Sequence, residues 1–223
     1  MVEIKTITVV MPFRMGSVNC YLLENNANYV LIDTGSSNQR SELEKELENA
    51  DCKPGQLKLI VITHGDFDHT GNAAYLRDKY GVEIAMHSGD VKMAEYGDMF
   101  SNRKKQNILI RKIAPILFGF RKGERFRPNI LVEDGDDLSE YGMEARILSI
   151  PGHSMGSVGV LLESGEMFCG DILENLKSPS FNSIMDDMDA AKASAEWLKG
   201  LEIRTIYPGH GKSFSMEQFI ENV

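Results

Sequence analysis

Cysteine is scarce in this chain of 223 residues, which contains only Cys20, Cys52 and Cys169. An odd number of cysteines, with no C-x-x-C pair, argues against an extracellular disulfide framework and against a thiolate zinc site. A chain of this length buries enough surface to be stable without disulfides. We therefore expect a reducing, cytoplasmic location.

Long apolar runs and an excess of positive charge are also lacking. The apolar clusters at 59–62 and 113–120 are far shorter than the roughly 18 residues that a membrane helix needs, and the first residues do not form a basic region followed by an apolar stretch. The 24 Lys+Arg against 33 Asp+Glu give a net charge of −9, which disfavours nucleic acid as a partner. We expect neither secretion nor a membrane span.

The composition that is present, 42% hydrophobic and 26% charged, is typical of a globular protein. Short β-rich runs alternate with helix-length segments in both halves, and the run at 57–63 is apolar enough for a strand buried on both faces. The pattern predicts strands at 4–10, 20–23, 29–33, 57–63, 83–86, 130–132, 143–150, 157–162, 167–169 and 205–207, and helices at 36–50, 71–80, 188–199 and from 215. We expect one α/β domain over residues 1–223, with a split near residue 128 as the alternative.

Four of the five histidines lie in turns that follow β-like runs, and Asp171 lies in another such turn. Loops at strand ends are where α/β sheets place functional groups. Imidazoles and carboxylates together bind Zn, Fe or Mn, and two such ions about 3.5–4 Å apart can share a deprotonated water. The sequence therefore predicts two divalent metal ions and seven candidate ligands: His64, Asp66, Asp68, His69, His153, Asp171 and His210.

Each of these residues also has a structural interpretation. A single histidine in a turn, such as His153 or His210, is more often a surface residue or a backbone hydrogen-bonder than a ligand. The segment 64–69 differs, because four ionisable residues after a buried strand would be costly to desolvate without a cation. Asp33 could simply cap the turn after it, and we expect a structural role for His87.

Five sequence landmarks, in order along nearly the whole chain, resemble the metallo-β-lactamase fold superfamily, in the branch with glyoxalase II and lactonases. They are D-T-G at 33–35, T-H-x-x-x-D-H at 63–69, G-H-S at 152–154, G-D at 170–171 and G-H-G at 209–211. The resemblance implies a four-layer αβ/βα sandwich with the metals in a cleft at one edge of the two sheets.

The resemblance also implies how the ligands divide between the two ions. The first ion would be bound by His64, residue 66 and His153. The second ion would be bound by Asp68, His69 and His210, and Asp171 would bridge the two. Asp33 would orient the ligand turn from behind.

Residue 66 departs from the family pattern, because most of this branch reads H-x-H-x-D-H and this chain reads H-x-D-x-D-H. A carboxylate in place of an imidazole makes the first site harder and more anionic, which favours Fe or Mn over Zn. The flavodiiron family resembles this fold and has a glutamate at that position. A di-iron oxidoreductase fed by a separate electron donor is therefore the alternative function.

The function that these residues predict is metal-dependent hydrolysis of a small-molecule substrate. A metal-bridging hydroxide would attack an ester, thioester, lactone or phosphoester, and one ion would stabilise the developing negative charge. We expect Asp68 and Asp171 to be catalytic, with Asp68 orienting the hydroxide or passing a proton to the leaving group. A metal sensor without turnover is a third hypothesis.

The segment 92–127 contains ten Lys+Arg and three acidic residues. One face of a predicted helix in this segment is apolar and consists of Leu109, Ile113, Ile116, Leu117 and Phe120. Pro115 is predicted to kink or split that helix. The segment could be a solvated surface, or a helical lid over residues 88–128 that favours an anionic substrate. Homodimer formation through the apolar face is the third interpretation.

Overall fold

The structure is a computed structural model that describes residues 2–11, 16–103 and 108–222. Its first sheet has six strands in the order β1-β2-β3-β4-β5-β6. These strands are Glu3–Val10, Ser17–Asn25, Asn28–Ile32, Leu57–Ile62, Glu83–His87 and Ile130–Val132. The strands β1 to β3 pair antiparallel, and β3 to β6 pair parallel.

The second sheet has four strands in the order β12-β9-β8-β7. In chain order, β7 is Ala145–Ser149, β8 is Val158–Leu162, β9 is Glu166–Gly170 and β12 is Thr205–Pro208. The strands β7, β8 and β9 are antiparallel, and β12 runs parallel to β9. A separate two-stranded sheet is formed by β10 (Leu173–Glu174) and β11 (Ser180–Phe181).

Seven α-helices connect these strands within the described ranges. They are α1 Arg40–Asn49, α2 Phe67–Thr70, α3 Ala73–Tyr80, α4 Val91–Tyr96, α5 Ile108–Leu117, α6 Met188–Lys199 and α7 Met216–Asn222. Short 3-10 helices occupy Ser37–Gln39, Ser88–Asp90, Lys122–Glu124 and Ser139–Tyr141. None of the helices in the described part is long and apolar enough to cross a bilayer.

Three apolar cores separate four layers. In β3, Tyr29 and Leu31 point into a core shared with α1, whereas Val30 and Ile32 point into a core shared with the second sheet. This alternation follows from the two-residue period of a strand. A third core packs the outer face of the second sheet against α6 and α7. The predicted four-layer αβ/βα sandwich is therefore confirmed.

The predicted elements are found, with shifts at their ends. The predicted helix at 36–50 begins as the 3-10 helix Ser37–Gln39 before α1. The predicted strand at 20–23 is the longer β2, because each of its residues except Asn25 pairs with β1. The strands β10 and β11 were not predicted. The single domain over residues 1–223 stays a prediction.

Pro115 was expected to kink or split its helix, and the structure shows no split. It lies inside α5, and the helix ends two residues later, at Leu117. Proline removes one backbone donor, and so close to the end of the helix little of the hydrogen-bond ladder follows it. Three residues of the predicted apolar face are exposed, namely Leu109, Ile113 and Ile116, while Phe120 is buried. The basic residues Lys104 and Lys105 lie outside the described residues.

Hydrogen bonds join the first strands to the end of the second sheet. The Asn19 side-chain amide donates to the carbonyl oxygens of Pro208 (3.1 Å) and Gly211 (2.8 Å). The Tyr21 hydroxyl donates to Pro208 at 2.6 Å, and the Asn19 backbone N–H donates to Gly209 at 2.8 Å. These bonds fix the turn that carries His210 against β2.

Candidate metal centre

The seven predicted ligands come together at one edge of the sandwich. His64 follows β4, and Asp66, Asp68 and His69 lie at or inside the start of α2. The other three follow strands of the second sheet: His153 after β7, Asp171 after β9 and His210 after β12. Six of the seven are buried, and His210 is half-buried.

These residues form three overlapping groups whose potential ligand atoms lie within 4.8 Å of one another in each group. One group is His64, Asp66 and His153, which we call the first cluster. A second group is Asp68, His69 and His210, which we call the second cluster. The third group, His64, His69 and Asp171, lies between them. This division matches the two ion positions that the sequence predicts.

Each of the four histidines has its Nδ1 atom engaged by the protein. His153 Nδ1 lies 2.6 Å from the Ile184 carbonyl oxygen, and His210 Nδ1 lies 2.7 Å from that of Ser17. Because a carbonyl only accepts, Nδ1 carries the proton in both rings. In the neutral form of each ring, the Nε2 lone pair can bind a cation, as is common in metal sites whose other ring nitrogen is held by the protein.

The Asp33 carboxylate organises the other two histidines. Its Oδ2 lies 2.8 Å from His69 Nδ1 and accepts a 2.7 Å hydrogen bond from the Thr63 hydroxyl. Since that hydroxyl donates its only proton to Asp33, it accepts from His64 Nδ1 at 3.0 Å. Asp33 Oδ1 accepts from the Thr63 backbone N–H at 2.8 Å. Asp33 therefore supports the ligand turn from behind, as the resemblance implies.

Three buried polar atoms test whether this site fits a metal. His64 Nε2, His69 Nε2 and Asp171 Oδ1 have no hydrogen-bond partner in the described part of the chain. All three belong to the same group of potential ligands. Burying unpaired polar atoms is costly unless something compensates them. A divalent cation held by these residues would supply that compensation, so the donor set fits a metal ion.

The charges of Asp68 and of Asp171, which lies beside the second cluster, are a further reason to expect a metal ion there. Burial raises the pKa of Asp68, against the opposing effect of His69 and His210. Burial lowers the pKa of His210, but the Asp171 carboxylate 3.1 Å away overcomes this and raises it to about 9. Within the described residues, no lysine or arginine pairs with Asp68 or Asp171. The second cluster therefore has no permanent cation of its own.

The first cluster, in contrast, contains an arginine. Arg103 Nη2 donates to both oxygens of Asp66, at 2.6 and 2.7 Å, and lies 3.3 Å from His153 Nε2. Burial opposes ionisation of Asp66, but the Arg103 charge, with His153, holds the pKa of that carboxyl well below its usual range. As it stands in the structure, the first cluster does not fit a metal ion.

Arg103 was not among the predicted site residues. In the sequence it is one of the ten cations of segment 92–127. The sequence feature that could have indicated Arg103 is the aspartate at position 66. It replaces the neutral histidine of the common pattern with a carboxylate, and a buried carboxylate needs a cationic partner. Asn182 was also missed, and its side-chain amide donates to Asp171 Oδ2 at 3.2 Å. His87 lies apart from the clusters, where its Nδ1 accepts from the Gly89 N–H at 3.1 Å.

A cleft of about 240 Å³ opens onto the second cluster. The residues of the candidate site that line it are Asp68 and His210 of the second cluster, Asp66 and His153 of the first cluster, and Asp171. Much of the rest of its wall is apolar: Met11, Met99, Phe118, Leu176 and Ile184. A small molecule with an apolar portion can therefore approach the candidate metal ligands.

The profile of the metallo-beta-lactamase superfamily matches residues 14–210 of this chain. The hydroxyacylglutathione hydrolase GloC of Haemophilus influenzae is 27% identical over 169 residues, which cover 74% of this chain and 70% of that protein. The acyl-coenzyme A thioesterase MBLAC2 of Homo sapiens is 24% identical over 220 residues, covering 90% and 75%. These relatives are named hydrolases, in agreement with the prediction of a metal-dependent hydrolase.

Two solved structures share the fold. The metallo-beta-lactamase family protein TTHA1429 from Thermus thermophilus superposes with a TM-score of 0.75 at 23% identity, covering 98% of this chain and 77% of that one. TTHA1623 in a di-iron-bound form superposes with a TM-score of 0.71 at 25% identity, covering 94% of both chains. The architecture of the present chain is thus that of a known group of metalloproteins.

Proposed function

The chain belongs to the metallo-beta-lactamase superfamily, and on that premise we propose that it hydrolyses an acyl ester or thioester with the help of a divalent metal ion. The observation that carries this proposal is the convergence of four imidazole Nε2 atoms and Asp171, with three of these atoms buried and unpaired. Asp68, His69, His210 and Asp171 would hold the ion. Bound there, the ion would supply an activated water as nucleophile and a Lewis acid for the developing negative charge.

Asp68 would move the proton in this reaction. Its side chain lines the cleft and lies 3.5 Å from His210 Nε2. Asp68 would accept a proton at a carboxylate oxygen from the attacking water and deliver it to the leaving group. Asp171, fixed by Asn182, would orient the attacking and receiving groups.

The walls of the cleft and the names of the relatives support the substrate class. Phe118, Met99 and Ile184 give the cleft an apolar side next to the carboxylates, which suits an acyl chain. The Haemophilus relative is named a hydroxyacylglutathione hydrolase, and the human relative is named an acyl-coenzyme A thioesterase. That the substrate is anionic stays a prediction. Glu174 adds a further carboxylate to the cleft, which disfavours an anion there.

A panel of acyl thioesters, acyl esters, lactones and phosphodiesters tests the proposal on protein loaded with Zn²⁺, Mn²⁺ or Fe²⁺. We expect turnover of a thioester or ester that stops after chelation and returns when the ion is added back. Asp68→Asn should lower kcat by about 10²–10⁴-fold, the usual contribution of a positioned acid or base. Turnover that survives full chelation, or no turnover on any member of the panel, would contradict the proposal.

The alternative function is redox chemistry at two irons. It is retained because TTHA1623, which has a similar fold, has been solved in a di-iron-bound form. Hydrolysis needs no reductant, so turnover of the thioester under anaerobic conditions without an electron donor favours the hydrolase. Oxygen or NO consumption that depends on a reductant, with no hydrolysis, favours the oxidoreductase.

A further inference from the structure

The guanidinium of Arg103 occupies the first cluster in the way that a cation would. Its Nη2 nitrogen lies 2.6 and 2.7 Å from the two oxygens of Asp66 and 3.3 Å from His153 Nε2. The Nε2 atom of His153 and Oδ2 of Asp66 are themselves 3.1 Å apart. Since His153 carries its proton on Nδ1, these two acceptor atoms tolerate each other because a shared N–H donor lies between them.

The arginine side chain is anchored rather than extended from the surface. Its Nε donates to the Met99 carbonyl oxygen at 3.1 Å, and Nη1 donates to the His153 carbonyl oxygen at 3.4 Å. The residue is only 8% exposed. A buried arginine held at several points, with both oxygens of a carboxylate as acceptors, is a fixed part of the site.

A metal ion in the first cluster would compete directly with this guanidinium. An ion bound to Asp66 Oδ2 would lie about 2 Å from that oxygen. Because Arg103 Nη2 is 2.7 Å from the same oxygen, the two cations could be no more than about 5 Å apart. Two like charges at that separation in a buried site repel each other strongly.

The charges of the two clusters differ in the same sense. In the first cluster one arginine balances one aspartate. Asp68 of the second cluster and Asp171 beside it supply two carboxylates. Among the residues that the structure describes, no lysine or arginine pairs with either of them. The carboxylates of Asp68 and Asp171 therefore have only histidines as partners, which are ligands for a divalent ion in their neutral form, whereas Asp66 already has a permanent cation.

We infer that this chain holds a single divalent metal ion, bound where the second cluster, Asp171 and His64 Nε2 meet, and that the Arg103 guanidinium takes the place of the first ion. The aspartate at position 66 and the arginine at position 103 form a matched pair. The inference rests on the metal binding of the proposed function, replaces the two ions that the sequence predicts by one, and does not depend on the substrate.

Metal stoichiometry tests this inference directly. The full chain is saturated with Mn²⁺, freed of loosely bound ion and examined by native mass spectrometry and elemental analysis. We expect one ion per chain in the wild type, with the six-line electron paramagnetic resonance spectrum of an isolated Mn²⁺. Two ions per chain with the spectrum of a coupled pair would overturn the inference and would leave the hydrolase proposal intact.

The double variant Asp66→His with Arg103→Met tests the cause. It restores a third histidine to the first cluster and removes the competing charge, so we expect a second ion to bind. Arg127→Met is the matched control, because Arg127 is an exposed arginine of the same basic segment, and it should keep one ion. A double variant that folds by circular dichroism and still binds one ion would overturn the role given to Arg103. The wild-type stoichiometry decides the number of ions even if the variant fails to fold.

Discussion

Asp33 orients candidate metal ligands without being one of them. It has a left-handed backbone conformation, with φ of 59°, which is uncommon outside glycine. From that position it accepts from Thr63 and from His69 Nδ1. The orientation of a ligand histidine thus depends on a residue at the end of the neighbouring strand β3.

Asp33→Asn isolates this effect. Asparagine tolerates the left-handed conformation, but an NH₂ donor replaces one of its two acceptor oxygens, so it cannot accept from the Thr63 backbone N–H at one oxygen and from the Thr63 hydroxyl and His69 Nδ1 at the other. We expect metal affinity to fall about 10–100-fold, the usual cost of losing a hydrogen-bond partner of a ligand histidine. Competition with a chromophoric chelator measures it. His87→Gln, at a histidine outside the clusters, should leave the affinity unchanged, and equal affinities for wild type and Asp33→Asn would refute the role of Asp33.

At this scale the sequence predicts which candidate ligands come together better than it predicts the residues that contact them. The ligand types follow from short motifs, because each motif is a turn after a strand. Arg103 is 37 positions from Asp66 and is one of ten cations in its segment. Only the path of the chain through residues 88–103 brings that particular cation into the site, and no local pattern encodes the path.

The turn between β7 and β8 is positioned by its contact with a helix. Gly152 has a φ of 147°, and a Cβ atom on it would lie 2.5 Å from Ala191 Cα in α6. Its carbonyl oxygen accepts from the N–H groups of Asp186 and Asp187, at the beginning of that helix. The residue that follows is His153. The start of α6 and the histidine are therefore fixed by the same turn.

Gly152→Ala should destabilise the protein by about 2–4 kcal/mol, since it adds backbone strain and a steric overlap with α6. Thermal unfolding monitored by circular dichroism measures the change. Gly123→Ala is the control, because a Cβ atom at Gly123 would meet nothing within 4 Å, and it should stay within about 0.5 kcal/mol of wild type. Equal melting temperatures for the two variants would contradict this account.

The elements themselves are largely predictable, because their patterns are strong. The apolar run at 57–63 is β4, and its side chains do divide between two cores: Ile60 and Ile62 in one, Leu59 and Val61 in the other. The short strands β10 and β11 escape prediction, since two-residue strands carry no periodicity. The α5 segment is harder to predict for another reason, as its exposed Ile113 and Ile116 form no core.

For the molecule as a whole, the buried carboxylates that would bind the metal ion lower the stability of the metal-free protein. Asp68 and Asp171 are both buried, and each disfavours ionisation of the other. Burial raises the pKa of Asp68, so its ionised form is less stable in the folded protein than in the unfolded chain at neutral pH. An ion that binds only the folded state adds stability of about 2.7 kcal/mol at a hundred times its dissociation constant.

Asp68→Asn should therefore change stability in opposite directions with and without metal. The metal-free variant should melt at a higher temperature than the metal-free wild type, because a buried carboxylate is gone. Its gain in melting temperature on addition of Mn²⁺ should be smaller. Asp78→Asn, at an exposed carboxylate, is the control and should change neither value. A metal-free Asp68→Asn that melts below wild type and keeps the full gain would contradict this account.

The hydrogen bond from His210 to Ser17 joins positions 193 residues apart, and Asn19 and Tyr21 hold the same turn from β2. Contacts between distant parts of a chain form slowly, because a long loop must close before they can be made. The complete ligand set therefore exists only after the two ends of the chain have docked. During refolding, the rate of metal capture measures that docking step, and neither half of the sandwich can complete the site on its own.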